Sequence, residues 1–240
     1  MMKPIIVLAG GLGSRLGSLT ADVPKALVNI NGRPFIDWQL NLLKQAGYKD
    51  VLLCVGHKAQ QIMEYVGNGK KFSLKIHYSH DGVAPLGTGG AVINGIRKIG
   101  GDCAVIYGDS FLPIDFGLVE HVFQNTSMSA LMTVIRKELV LEEGNLNYDN
   151  GLVTSYSKSS NSLNYGHVDF GLSYFKFDAI HDFQAKTPWD LSILFQNLTK
   201  TGKLQGYEIE TPYFEIGSTK GISMLESYLQ RKENKNHRNL

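Results

Sequence analysis

The chain has 240 residues, 43% of them hydrophobic, enough for one large α/β domain or a domain with a small annex. Its formal net charge of +2 gives no global basic field that would draw nucleic acid or a membrane surface. No apolar run approaches the length of a membrane span, and the opening MMKPIIVLAGG lacks a signal-peptide cleavage pattern.

The stretch PIIVLAG (4–10) is continuously apolar and predicts a buried strand. PFIDWQLNLLKQAG (34–47) repeats apolar residues at Phe35, Trp38, Leu42 and Ala46 and stops at Gly47, as an amphipathic helix does. DVLLCVG (50–56) predicts a strand, AQQIMEYVGNG (59–69) a helix ending in glycines, and SLKIHYS (73–79) an alternating strand. TGGAVINGIRKIG (88–100) predicts a helix after a glycine turn, and DCAVIYGDS (102–110) a third buried strand ending in a carboxylate. Apolar strands alternating with helices predict a mostly parallel, Rossmann-like sheet with helices on both faces. Cys54 and Cys103 lie inside apolar runs without a CxxC pattern, which predicts buried thiols in a reducing, cytoplasmic compartment.

The second half changes character. SALMTVI (129–135), GLVTSYSK (151–158) and HVDFGLSYFKF (167–177) are rich in β-branched and aromatic residues and predict strands. DLSILFQNLTKTG (190–202) and KGISMLESYLQRK (220–232) predict helices. No linker separates two units, so residues 1–232 are expected to form one domain, with a first half of about 1–110 and a second half of about 111–232. Residues 233–240 form a polar tail expected to fray.

Five features carry chemistry. The first strand runs into Gly10, Gly11 and Gly13, and a glycine turn feeding a helix surrounds a concavity with N–H groups that bind phosphate. The spacing is neither that of a P-loop nor that of the dinucleotide fingerprint, whose last glycine is missing. Arg15 and Lys25 supply two cations beside it, which suits a polyphosphate. Pro24 biases Val23 to extended backbone, so Lys25 is expected off any helix. Asp109 stands just past the carboxyl end of a buried strand, where open α/β sheets bind ligands; facing a polyphosphate, it calls for an intervening Mg²⁺. Glu215, in PYFEIGSTKG (212–221), is a second carboxylate candidate for that metal, and Gly87, Gly89 and Gly90 of PLGTGGAV would let a flat base lie against main chain. His77 and His80 are three apart on a strand, hence on opposite faces, which argues against a metal pair.

The motifs LAGGLGSRL…VPKAL, PLGTGGA, YGDS, VTSYSK, VDFGLSYF and FEIGS, in that order over residues 4–230, resemble the sugar-1-phosphate nucleotidyltransferases. DVPKALVNINGRPFIDWQL and PLGTGGA look nearest to the branch that resembles bacterial heptose-1-phosphate and mannose-1-phosphate guanylyltransferases. The resemblance implies the nucleotide-diphospho-sugar transferase fold with a small β-rich sugar-side annex. It implies attack by a sugar 1-phosphate on the α-phosphorus of a nucleoside triphosphate with Mg²⁺ as cofactor. Leu8, Ala9, Gly10, Gly11, Gly13, Ser14 and Arg15 would hold the triphosphate, and Lys25 would stabilise charge at the α-phosphate. Gly87 and Thr88 would line the base and ribose region. Asp109 and Glu215 would bind the metal, Lys158 the sugar's phosphate, and Asp169 and Gly171 would face the sugar. Glu215 stands where the broad family has Asp, and Asp169 where it has Asn, which favours a sugar presenting hydroxyl donors there. GTP with heptose or mannose 1-phosphate is the pair the branch implies. Cytidylyl or uridylyl transfer to another sugar phosphate and a non-catalytic nucleotide-sensing module are the alternatives. A hydrolase lacks support, since Ser110 is not in a G-x-S-x-G setting. The implied partners are the two small substrates, with neither nucleic acid nor membrane, and self-association is left open.

Overall fold

The computed structural model describes residues 2–238 except Leu12, Val83 and 159–164; the side chains of Ser14, Arg15 and 235–238 lie outside the description as well. Strand β1 (Ile5–Leu8) ends at the glycine turn and is followed by 3-10 helices over Ser14–Thr20 and Lys25–Leu27. A two-stranded ribbon of β2 (Asn29–Ile30) and β3 (Arg33–Pro34) leads into helix α1 (Phe35–Gln45). Then come β4 (Asp50–Val55), α2 (Ala59–Val66), β5 (Lys75–His80), α3 (Gly87–Ile99) and β6 (Cys103–Tyr107). The second half comprises β7 (Ser110–Phe111), α4 (Phe116–Gln124), β8 (Ala130–Arg136), β9 (Leu146–Asp149), β10 (Leu152–Tyr156) and β11 (His167–Phe175). It closes with α5 (Phe177–Ile180), α6 (Ser192–Lys200), β12 (Leu204–Glu208), β13 (Phe214–Glu215) and α7 (Thr219–Arg238).

Among the described residues, nine strands join in the order β5-β4-β1-β6-β11-β8-β12-β10-β9. The pairs β5/β4, β4/β1, β1/β6 and β8/β12 are parallel. Only β11 and β10 run against the rest, so the sheet is mixed but mostly parallel. A small antiparallel pair, β13 with β7, stands beside it.

Alternation along the strands splits the core in two. Ile5, Val7, Val51, Leu53 and Ile106 point to one face and pack with Phe35 and Leu40 of α1, Phe116 and Phe123 of α4, and Leu225 of α7. Ile6, Leu52, Cys54 and Val105 point to the other and pack with Val92 and Ile96 of α3 and Leu194 and Phe195 of α6. Both faces are therefore covered by helices, and each such buried side chain contributes about 1.5–3 kcal/mol. Cys54 and Cys103 are buried free thiols; burial pushes Cys54 up to about 12 and Cys103 higher still.

Three expectations change. The glycine turn feeds no α-helix but a 3-10 stretch kinked at Gly17 (φ 54, ψ −120), so no helix macrodipole points at the turn. Lys25 opens a 3-10 helix capped by Pro24, because Pro restricts the residue before it and itself suits a helix start. Helix α7 continues through the polar tail to Arg238; Gln, Arg, Lys and Glu are good helix formers, and polarity argues against burial rather than against helix. No helix of the described residues is long and apolar enough to cross a membrane.

Candidate active site

Strand β1 lies between β4 and β6, so the chain leaves it first to one side and later to the other. That switch point opens a crevice beyond the strands' carboxyl ends. Three turns meet there. Ala9 N–H donates to Cys54 O at 2.8 Å, Gly108 N–H to Leu8 O at 3.0 Å, and His57 N–H to Gly10 O at 3.4 Å. The turns are packed so closely that a Cβ on Gly108 would lie 2.5 Å from Leu8 O, and one on Gly10 would lie 3.1 Å from Gly56 N. Gly13 takes a left-handed φ of 66°. At Gly11 a Cβ would meet no described atom within 4 Å, so that glycine is bare towards the crevice.

The crevice holds two cavities. The first, about 540 Å³, is lined by Leu8, Ala9, Gly10, Gly11, Lys25, Asp81, Gly87, Thr88, Tyr107 and Asp109, among others. The second, about 700 Å³, is lined by Tyr107, Asp109, Lys158, Asp169, Gly171, Tyr213 and Glu215, among others. Tyr107 and Asp109 belong to both and form the partition.

On that partition Lys25 Nζ donates to Asp109 Oδ2 at 2.7 Å. Lys25 is 14% exposed and Asp109 33%, so solvent screens the pair less than a surface ion pair. Among the described residues, Asp109 Oδ1 receives only a long contact from Ser110 Oγ, 3.4 Å. The Asp109 carbonyl accepts from Ile216 N–H at 3.0 Å, which ties the turn to β13. Glu215 lines the second cavity, but its Oε2 accepts from Gly217 N–H and its Oε1 from Ser218 Oγ at 2.7 Å, where α7 begins. Among the described residues no three His, Cys, Asp or Glu side chains group as a metal cage.

In the second cavity, Gly171 has φ +100°, at the irregularity in the pairing of β11 with β8. Its N–H donates to Asp169 Oδ1 at 2.9 Å, and Tyr156 OH approaches Oδ2 at 3.5 Å. Burial pushes the Asp169 carboxyl up to about 6, against the lowering effects of the Gly171 N–H and of Lys158. Lys158 Nζ is held by Asp190 Oδ2 at 2.6 Å, and Asp190 Oδ1 is pinned by Ser192 N–H at 2.9 Å.

The glycines of the PLGTGGA loop serve a different neighbour from the one expected. The flat ring against them is Trp189: a Cβ on Gly89 would lie 2.1 Å from that ring, and one on Gly87 would lie 2.2 Å from the Trp189 carbonyl oxygen. Trp189 N–H donates to Leu86 O and Gly89 N–H to Trp189 O, each at 3.1 Å, while Leu191 N–H donates to Thr88 Oγ1 at 2.9 Å. Gly87 and Thr88 still line the first cavity. Leu12 and the side chains of Ser14 and Arg15 lie outside the described residues, so the triphosphate grip assigned to Ser14 and Arg15 stays an expectation. Sequence reasoning missed Asp81, whose carboxylate faces the first cavity, accepts from Leu86 N–H at 3.4 Å and is raised by burial. A lone Asp before a glycine reads as a turn residue, and only the fold brings it to the cavity.

A largely parallel sheet with a crevice at its switch point, split into two adjoining cavities, defines an α/β protein. The chain belongs to the Nucleotidyl transferase family, which matches residues 4–145. It is 40% identical over 110 residues to D-glycero-alpha-D-manno-heptose 1-phosphate guanylyltransferase of Campylobacter jejuni, covering 46% of this chain and 49% of that one. It is 34% identical over 112 residues to N-acetylmuramate alpha-1-phosphate uridylyltransferase of Neisseria meningitidis, covering 46% and 48%. These alignments span about half the length of the curated relatives. The fold is similar to that of HddC from Yersinia pseudotuberculosis complexed with GMP-PN, with a TM-score of 0.80, 24% identity and coverage of 95% and 100%.

Proposed function

We propose that this chain transfers a nucleoside monophosphate from a nucleoside triphosphate to a sugar 1-phosphate. An oxygen of the sugar phosphate bonds to the α-phosphorus, the α–β bridging bond breaks, and pyrophosphate leaves with the electron pair. The carrying observation is the Lys25–Asp109 pair on the wall shared by two cavities, each large enough for one substrate.

The attacking phosphate is already an anion, so no general base is needed. The obstacle is repulsion between two polyanions, and catalysis is positioning plus charge neutralisation. Glycine main chain lets the triphosphate approach closely in the first cavity. Lys25 exchanges its carboxylate partner for the phosphate oxygens that gain charge. Lys158, steadied by Asp190, receives the acceptor's phosphate, and Asp169 accepts hydrogen bonds from hydroxyls of the acceptor. The donor set fits Mg²⁺, which uses one or two carboxylates and completes its shell with phosphate oxygens and water. Asp109 would hold it, and Glu215 would join through the lone pairs that Gly217 N–H and Ser218 Oγ leave free. When bound, the ion neutralises charge between the two phosphates.

Asp81 supports guanine. A carboxylate accepts hydrogen bonds and cannot donate them, and guanine alone among the common bases offers two adjacent donors, N1–H and N2–H₂. The name of the Campylobacter relative points the same way for base and sugar, so GTP with heptose 1-phosphate or mannose 1-phosphate is the pair we favour. We place the reaction in the cytoplasm, where free thiols persist and nucleotides are made.

The test is pyrophosphate release with four nucleoside triphosphates against a panel of sugar 1-phosphates and Mg²⁺. GTP is expected to give the highest kcat/KM, and Asp109→Asn to abolish turnover with the fold intact. A preference for CTP or UTP would overturn the base, and no turnover with any pair would overturn catalysis.

A further inference from the structure

Gln39 lies in α1 with no exposed surface, among the apolar side chains of that helix. Its Nε2 donates to Tyr107 O at 2.9 Å and to Ser110 O at 2.8 Å. These carbonyls flank Gly108 and Asp109 on either side. The partners dictate the orientation of the amide, since a flipped group would set Oε1 against two carbonyl oxygens. In the orientation observed, Oε1 is buried with no hydrogen-bond partner among the described residues.

An amide left half-satisfied in a core is a poor device for stability. Its two donors, in contrast, both go to the turn between β6 and β7. That turn carries the carboxylate on the partition between the cavities.

We propose that Gln39 is a positioning residue: from beneath, it clamps both shoulders of the Asp109 turn and so sets where that carboxylate stands against Lys25 and the reacting phosphates. The proposal rests on the role given to Asp109 above. Backbone alone ties this turn at two points, through Gly108 N–H donating to Leu8 O and Ile216 N–H donating to Asp109 O. The helix-borne amide adds two, so its loss lets the carboxylate and the partition shift while the other walls of the first cavity, Leu8 to Gly11 and Gly87 with Thr88, stay in place.

The experiment compares full-length parent, Gln39→Met, Gln39→Glu and Asp109→Asn. Thermal unfolding, kcat, and KM for both substrates are measured, with nucleotide affinity determined separately by titration without Mg²⁺. Gln39→Met is expected to unfold cooperatively and to lose at least tenfold in kcat, with nucleotide affinity within twofold of the parent. A kcat within twofold of the parent overturns the proposal, as does a loss of kcat matched by an equal loss of nucleotide affinity. Should Gln39→Met yield no folded protein, Gln39→Glu decides. Its neutral acid can donate one hydrogen bond to the turn and its carboxylate none, so its kcat relative to the parent should rise as pH falls from 8 to 6; a flat ratio overturns the proposal. Turnover retained by Asp109→Asn sinks the reading of Asp109 itself, and so fails separately.

Discussion

At the scale of single residues, Asp169 shows what burying a carboxyl beside a cavity does to stability. Its carboxyl is raised to about 6 by burial, above the ordinary 3.8. The folded state therefore holds the proton more tightly than the unfolded state does. The associated stability is complete below the unfolded value and is lost as pH rises through about 6. Asn at this position imitates the neutral acid and can still accept from Gly171 N–H. Asp169→Asn should therefore raise Tm relative to the parent more at pH 8 than at pH 4.5, and a pH-independent difference would count against a charged Asp169 in the fold. Asp109 was legible as a carboxylate just past a strand end, Lys25 as a cation beside the glycine turn, and Glu215 as a carboxylate in a short segment before a glycine. Their partners were not, because which carboxylate a lysine meets 84 positions away depends on the sheet order. Gln39 was illegible for a related reason: inside WQL it looks like one polar residue on an amphipathic helix, and its two acceptors are 68 and 71 positions distant.

At the scale of elements, helix periods and buried strands were readable nearly to their ends, and the misses had local signals. The hairpin of β9 and β10 turns at Asn150 and Gly151, with φ of 46° and 83°, in the sequence Asp-Asn-Gly. Two successive positive φ values are what a tight hairpin turn needs, and Asn-Gly supplies them; the polar segment around it obscured the strand Leu146–Asp149. Helix α4 starts at Asp115, whose side chain accepts from Leu118 N–H as an N-cap, before a run of apolar residues. Helix α3 tests how tightly the loop and its neighbour are packed. An ordinary helical Gly→Ala change gains roughly 1 kcal/mol, yet at Gly89 the new methyl would overlap the Trp189 ring. Gly89→Ala should cost about 1–3 kcal/mol in chemical denaturation, as overpacking does, and less in a Trp189→Leu background. A net gain in stability would show that the ring can move aside.

At the scale of the molecule, a sheet with helices on both faces followed from strand–helix alternation, whereas the strand order did not. Strand β11, near residue 170, is inserted between β6 and β8, and nothing local in its sequence distinguishes a central strand from an edge strand. Consequently residues 1–145 expressed alone should show no cooperative unfolding transition. They lack the strand that joins β6 to β8 and the Trp189 that fills Gly87 and Gly89. A sharp transition for that fragment would overturn this. The tripeptide Trp189–Leu191 has one more consequence. It backs the wall of the first cavity through Leu86, Thr88 and Gly89, and steadies Lys158 in the second through Asp190. A chimera that exchanges the second cavity by grafting the later half of a relative would thus disturb the first cavity too, unless the tripeptide is kept with the loop it supports: the seam between the two cavities runs across the chain order, not along it.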